Sequence, residues 1–224
     1  MGKQDMRLTL ICATAALSAA TPALAQDSGG VSAGITAGTL GIGPEIAYRF
    51  SNTLGVRGNV TFFGLGRNVE SDGIDYDGDL KLRSGGVMLD LHPFGNGFRV
   101  SAGARVNSNK VRLKARPSDD VEVGDETYTP EEIGTLSGTV RANDVAPTLT
   151  IGWAGGKTRG LKFGIEAGVM FHGSPKVRNL RATGLLASDP DFQASLREEE
   201  QEVEKDLDQF KIYPIVQLSI GYRF

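Results

Sequence analysis

Apolar residues recur at every second position along much of the chain. In VSAGITA (31–37), Val31, Ala33, Ile35 and Ala37 share one parity, and in IGPEIAYRF (42–50) Ile42, Pro44, Ile46, Tyr48 and Phe50 do the same. LGVRGNVTF (54–62) sets Leu54, Val56, Val60 and Phe62 against Arg57, Asn59 and Thr61. FRVSAGARV (98–106) sets Phe98, Val100, Ala102, Ala104 and Val106 against Arg99, Ser101 and Arg105. The alternation returns in 148–153, 161–171 and 211–224. Successive side chains on a strand point to opposite faces, so each segment reads as a strand with one apolar and one polar face. The remaining segment, 76–91, carries Leu80 and Leu82 on one parity and Val87, Leu89 and Leu91 on the other. A β-bulge at Gly85-Gly86 is the expected cause of that change.

These segments make eight strands. They are joined alternately by short links (SNT, HPFGNG, AGGKTRG) and by long polar stretches at 64–75, 107–145 and 174–210. An even strand count with short turns at one end and long loops at the other is the pattern of a bacterial outer-membrane barrel. A soluble sandwich would turn the same apolar face inward, whereas a membrane barrel turns it to lipid and keeps the polar face inside. The apolar parity is nearly free of charge on every strand, as a lipid-facing band requires, because an Arg or Lys at mid-membrane costs about 2–4 kcal/mol. Aromatics support the same polarity. Tyr48, Phe50, Phe94, Phe98, Trp153, Phe163, Tyr222 and Phe224 gather at the short-turn end, and Phe62, Phe63 and Phe171 form a thinner upper girdle. The expected fold is all-β, an eight-stranded antiparallel transmembrane β-barrel with a helix in the last extracellular loop.

Composition agrees with this picture. Glycine is 30 of 224 residues, about twice its usual share, and falls mostly between alternating runs. A mean hydropathy of −0.17, with no later run approaching the roughly 18 apolar residues a helix needs, argues against helical spans. A formal charge of −3 argues against a nucleic-acid partner. At the start, Lys3 and Arg7 precede the apolar run LTLICATAALSAA (8–20), and Ala23 and Ala25 lie before Gln26. That order reads as a cleaved signal peptide, 1–25, followed by one outer-membrane β-barrel domain, 26–224. The only cysteine, Cys12, lies in the expected signal, so the mature domain has no disulfide.

The terminal Tyr222-x-Phe224, with alternating apolar residues before it, resembles the sorting signal read by the outer-membrane barrel assembly machinery of Gram-negative bacteria. The whole mature chain resembles the small eight-stranded barrels of the OmpA-, OmpX- and OmpW-like type. The stretch YDGDLKLRSGGVMLDLHPFGNGFRVSAG (76–103) is similar to a set of proteobacterial barrels, some of whose relatives are described as small-solute or ornithine-uptake channels. The resemblance implies a bacterial outer-membrane location, contact with outer-membrane lipids and lipopolysaccharide, and a monomer.

The polar parity places Glu45, Arg57, Asp90, Arg99, Arg105, Lys162 and Glu166 in the expected lumen. An eight-stranded barrel is just wide enough for its interior to be filled by side chains. Charges held there without water must pair, so a salt-bridged plug is expected. A narrow path for small anionic or zwitterionic solutes is the alternative, with the positive excess favouring anions. In the loop 174–210, Asp189-Pro190 is a helix start, and Phe192, Leu196, Val203, Leu207 and Phe210 recur at helical steps. The expected element is an amphipathic helix, 189–210, with an acidic outer face. It would serve as a cap on the rim and neighbouring loops, or as an interaction surface for a basic partner or for cations bridging to lipopolysaccharide. DGIDYDGD (72–79) clusters aspartates without the spacing of a calcium loop, and reads as an exposed turn. His172, Ser174 and Glu166 form the only candidate set for a lipid-modifying enzyme. The pattern carries no zinc spacing and no phosphate-binding glycine loop, so neither metal, cofactor nor enzymatic activity is expected.

Overall fold

The computed structural model describes residues 29–71, 74–155 and 159–224. The expected signal segment 1–25, and Asp72 and Gly73 of the aspartate-rich turn, lie outside the described residues. Thirteen strands and two helices are present among those described. All eight strands expected from the alternation are there: β1 (Gly30–Gly38), β2 (Gly41–Arg49), β3 (Leu54–Ser71), β4 (Ile74–Leu91) and β5 (Phe98–Asn107) come first. Next come β6 (Lys110–Pro117), β7 (Val121–Val123), β8 (Glu126–Tyr128), α1 (Pro130–Ile133) and β9 (Leu136–Arg141), followed by β10 (Val145–Ala154) and β11 (Gly160–Phe171). The chain ends with β12 (Lys176–Arg181), α2 (Pro190–Leu207) and β13 (Ile212–Arg223).

Antiparallel pairing joins the eight in chain order. It runs β1–β2–β3–β4–β5–β10–β11–β13, and β13 pairs back onto β1, with Ile35 opposite Ile220. The pairings therefore return to their starting strand. The apolar parity faces outward around this circuit: Leu89, Val106, Phe163 and Leu218 are each at least 60% exposed. The inward parity is buried and polar, with Arg57, Thr61, Ser101 and Thr148 all at 2% exposure or less. This is the reverse of a soluble domain, whose exposed apolar patches seldom exceed a few hundred Å².

β3 and β4 continue past the ring as a two-stranded blade, so residues 64–71, expected as part of a loop, are strand. β6 lies on β4 in the frame set by β5: Ser84 faces Asn107 and Lys81 faces Lys110. β9 then pairs with β6 and β12 with β9, which extends the blade into a sheet above the ring. The expected bulge at Gly85-Gly86 is absent. The β3–β4 register is constant from Leu54↔Leu91 to Ser71↔Ile74. Leu80 and Leu82 change parity because the environment changes: above Ser84 the inward side of β4 becomes apolar and its outward side charged.

The helix expected at 189–210 is α2, capped by the Asp189 carboxylate, which accepts from the amides of Asp191 and Phe192. Phe192 and Leu196 are 1% and 3% exposed and pack with Val123, Tyr128 and Ile133 into a small core on the inward face of the upper sheet. Phe192 meets Tyr128 edge-on at 4.8 Å. α2 is thus a packed cap: Asp191, Glu198, Glu202 and Asp206 are exposed, while Glu199 and Glu204 accept from the amides of Gly124 and Val177. Phe210, expected on its apolar face, lies beyond the helix and is 56% exposed.

Candidate functional site

The ring interior holds the seven charged residues expected there, and it divides them unequally. At the centre is Arg57 on β3. Its guanidinium donates to Glu45 of β2 at 3.1 Å, to Asp90 of β4 at 3.2 and 3.3 Å, and ion-pairs with Glu166 of β11. Arg99 of β5 reaches the same Glu166 carboxylate at 2.9 Å. The Ser101 hydroxyl donates to Asp90 at 2.6 Å, and the Asn59 amide donates to Glu45 at 3.3 Å. Each carboxylate therefore has a cation, and the two arginines are held by strands from different parts of the ring. Buried charges persist only when paired and hydrogen-bonded in this way.

Arg105 and Lys162 are not part of this knot. Arg105 is buried at 2% exposure, but its recorded contacts are to the Ser84 hydroxyl, at 2.9 and 3.3 Å. Lys162 has no ion pair among the described residues and shares the short-turn end of the interior with Arg49 and Arg223. Arg49 spends its donors on the backbone carbonyls of Ser51, Asn52 and Asn96. Both arginines are buried and were legible as inward-parity cations.

The long-loop end is closed differently. The β1–β2 turn, Thr39-Leu40, folds across the interior, and Leu40 packs at 3% exposure with Ala146, Met170 and Ile215. Gly41 adopts φ +101°, which a residue with a Cβ rarely does, and so lets the chain turn back immediately after Leu40. The turn is pinned from β13. The Thr39 amide donates to the Val216 carbonyl, its hydroxyl to the Pro214 carbonyl, and the Tyr213 hydroxyl donates to the Thr39 carbonyl at 2.6 Å. Nothing local in the stretch GTLG (38–41) says that its leucine points inward.

The three residues of the enzymatic alternative are not brought together. Glu166 is held by Arg57 and Arg99, Ser174 donates to Asp208 at 2.6 Å, and the His172 ring stacks edge-on with Tyr213 at 6.2 Å. At the opposite end of the ring, Tyr222 and Phe224 are neighbours on the outward face, their rings 5.2 Å apart. Among the described residues no group of three or more His, Cys, Asp or Glu is arranged to hold a metal ion.

No protein-family model and no curated protein matches this chain. Solved structures do. The crystal structure of CarO2 from Acinetobacter baumannii superposes with a TM-score of 0.58 over 87% of this chain and 98% of that one, at 21% identity. CarO from the same organism gives 0.57 over 86% and 97%, at 20% identity. The likeness is one of fold.

Proposed function

We propose that this chain is an eight-stranded barrel of the bacterial outer membrane, with a sealed lumen and a folded crown on the outer surface. Its role is then to anchor and present that crown rather than to conduct or catalyse. The observation that carries the reading is the filled interior: an ion-paired knot at mid-height and the Leu40 stopper at the long-loop end. The exposed apolar band supports the membrane setting, since it has no other solvent on the scale of the whole ring. The fold shared with CarO and CarO2 supports the outer membrane in particular. An assembly signal at Tyr222 and Phe224 fits the same setting.

A narrow anion-favouring path is the second reading. Its support is that Arg105 and Lys162 have no carboxylate partner among the described residues.

The membrane setting is tested by depth. Cys12 is the only cysteine in the sequence, so residues 26–224 accept a single engineered one cleanly. A bimane attached at Leu89→Cys, in refolded protein in vesicles, should be quenched by bromine or nitroxide carried on the lipid chains. The same label at Asp206→Cys should respond only to aqueous quenchers. Aqueous quenching at both positions would sink the proposal.

A further inference from the structure

The outward face of the crown sheet carries an unusual alignment. Lys81 of β4 lies directly opposite Lys110 of β6, Lys110 opposite Arg141 of β9, and Arg141 opposite Lys176 of β12. Four strands thus present four cations in one row, with no carboxylate in the register. Like charges directly opposite on a sheet destabilise it. The Lys110 ammonium is held below the ordinary lysine range, first by Arg112 and then by burial, Lys81 and Arg141. The nearest acid is Asp144, 3.4 Å from Arg141 at the edge of the row. The next rows up are mixed: Asp79 faces Arg112, Asp77 faces Lys114 and Asp75 faces Arg116. Lys110, Arg141 and Lys176 of the row also line a trough of about 570 Å³, together with Arg112, Arg178 and Asp144.

Position identifies what would neutralise the row. Through β4, the one strand of the four that belongs to the ring, this face is the upward continuation of the apolar band. The last wholly apolar row runs Val60, Gly85, Val106, Val145. Above it Arg83 faces Phe62 in register and lies 5.8 Å from that ring's centre. The Lys81 row stands four residues beyond Gly85, about 13 Å along the strand. Cations at that height over a lipid-facing band sit at headgroup level. Four strands about 4.8 Å apart spread the row over about 14 Å, more than one phosphate can neutralise. We infer that the Lys81–Lys110–Arg141–Lys176 row binds the headgroup of a lipid carrying two or more phosphates in the leaflet at the long-loop end. The acidic helix α2 packs on the other face of the same sheet, so the crown presents one sign of charge to the lipid and the other away from it.

This inference rests on the membrane reading above, and the test separates the two. Refolded protein is placed in zwitterionic vesicles doped with a bisphosphorylated glycolipid, or with the same glycolipid after its phosphates are removed. The glycolipid co-purifying with the barrel is then measured. The expected result is at least tenfold enrichment of the phosphorylated form and none of the other. Each basic side chain at an anionic surface contributes about fivefold. Lys110→Gln with Arg141→Gln should therefore weaken binding about 25-fold and so abolish a tenfold enrichment, while Arg197→Gln with Lys205→Gln on α2 should leave it unchanged. Insertion without enrichment, or equal loss from both variants, overturns the inference alone. Full displacement by soluble pyrophosphate overturns the lipid assignment in favour of free phosphate. Failure to insert overturns both readings.

Discussion

Arg57 on β3 ion-pairs with Glu166 on β11, the strand four places away in either direction around the ring. One side-chain contact therefore crosses the full width of the interior. Arg57 also binds Glu45 and Asp90, so it contacts three carboxylates from three other strands. Removing one partner of a buried ion pair costs about 3–5 kcal/mol, and without Arg57 both Glu45 and Asp90 lose their cation while Glu166 keeps Arg99. Arg57→Met should lower the unfolding free energy of the refolded protein in urea by at least that amount. Arg57→Lys should recover only part of it, since a single ammonium cannot reach all three carboxylates as the guanidinium fork does. A Met variant of unchanged stability would mean the knot does not hold the ring together.

Leu40 is the second closure. A buried leucine truncated to alanine costs about 2–5 kcal/mol in a well-packed site. Leu40→Ala, next to Met170 and Ile215, should fall within that range by the same urea measurement. Gly41→Ala should also destabilise, through the φ of +101° and because an added Cβ would lie 2.6 Å from the Phe62 carbonyl oxygen.

The crown should unfold apart from the ring. Its core of Val123, Tyr128, Ile133, Phe192 and Leu196 contains no residue of the eight ring strands. Phe192→Ala removes the centre of that core and should cost the crown about 3–5 kcal/mol. Limited proteolysis should then cut within 118–135 or 182–210, outside the ring strands, while the ring keeps its boiling-dependent band shift as before. Loss of ring stability to the same extent would show that the two are one cooperative unit.

The end of α2 carries a pH-sensitive tie. The Asp208 carboxylate accepts from the Lys211 ammonium at 2.8 Å and from the Ser174 hydroxyl at 2.6 Å, and these hold it below the usual carboxylate range. A depressed acid contributes stability above its unfolded-state pKa and loses it as pH falls through the folded value. Amide protection factors at 206–211, corrected for the intrinsic exchange rate at each pH, should therefore be high at neutral pH and fall on acidification below the ordinary aspartate range. Asp208→Asn should show low protection that does not change across the same pH series.

The ring strands were legible because their period of two is set by two environments, an apolar outside and a polar inside, that persist for the full height of the band. The same rule misled at β4. Above Ser84 the environments exchange, so Leu80 and Leu82 appear on the wrong parity and imitate a bulge in a strand of constant register. The crown strands β6, β9 and β12 were hidden for a related reason. Their cations at 110, 112, 114, 141, 176 and 178 give a local impression of polar loop, and only pairing across 21 to 44 residues makes them a sheet. The interior charges could be placed from parity, but not their partners. Arg57 and Glu166 are 109 positions apart, and nothing local distinguishes Arg57, which meets three carboxylates, from Arg105, whose recorded partner is a serine.

Planar-bilayer conductance of the refolded chain, residues 26–224, tests the sealed barrel most directly. Protein whose electrophoretic band shifts on boiling, added to one side of a bilayer in molar salt, should give no discrete current steps. Reproducible steps from the unmodified protein would mean that ions pass the Arg57 knot and the Leu40 stopper, and would contradict the account.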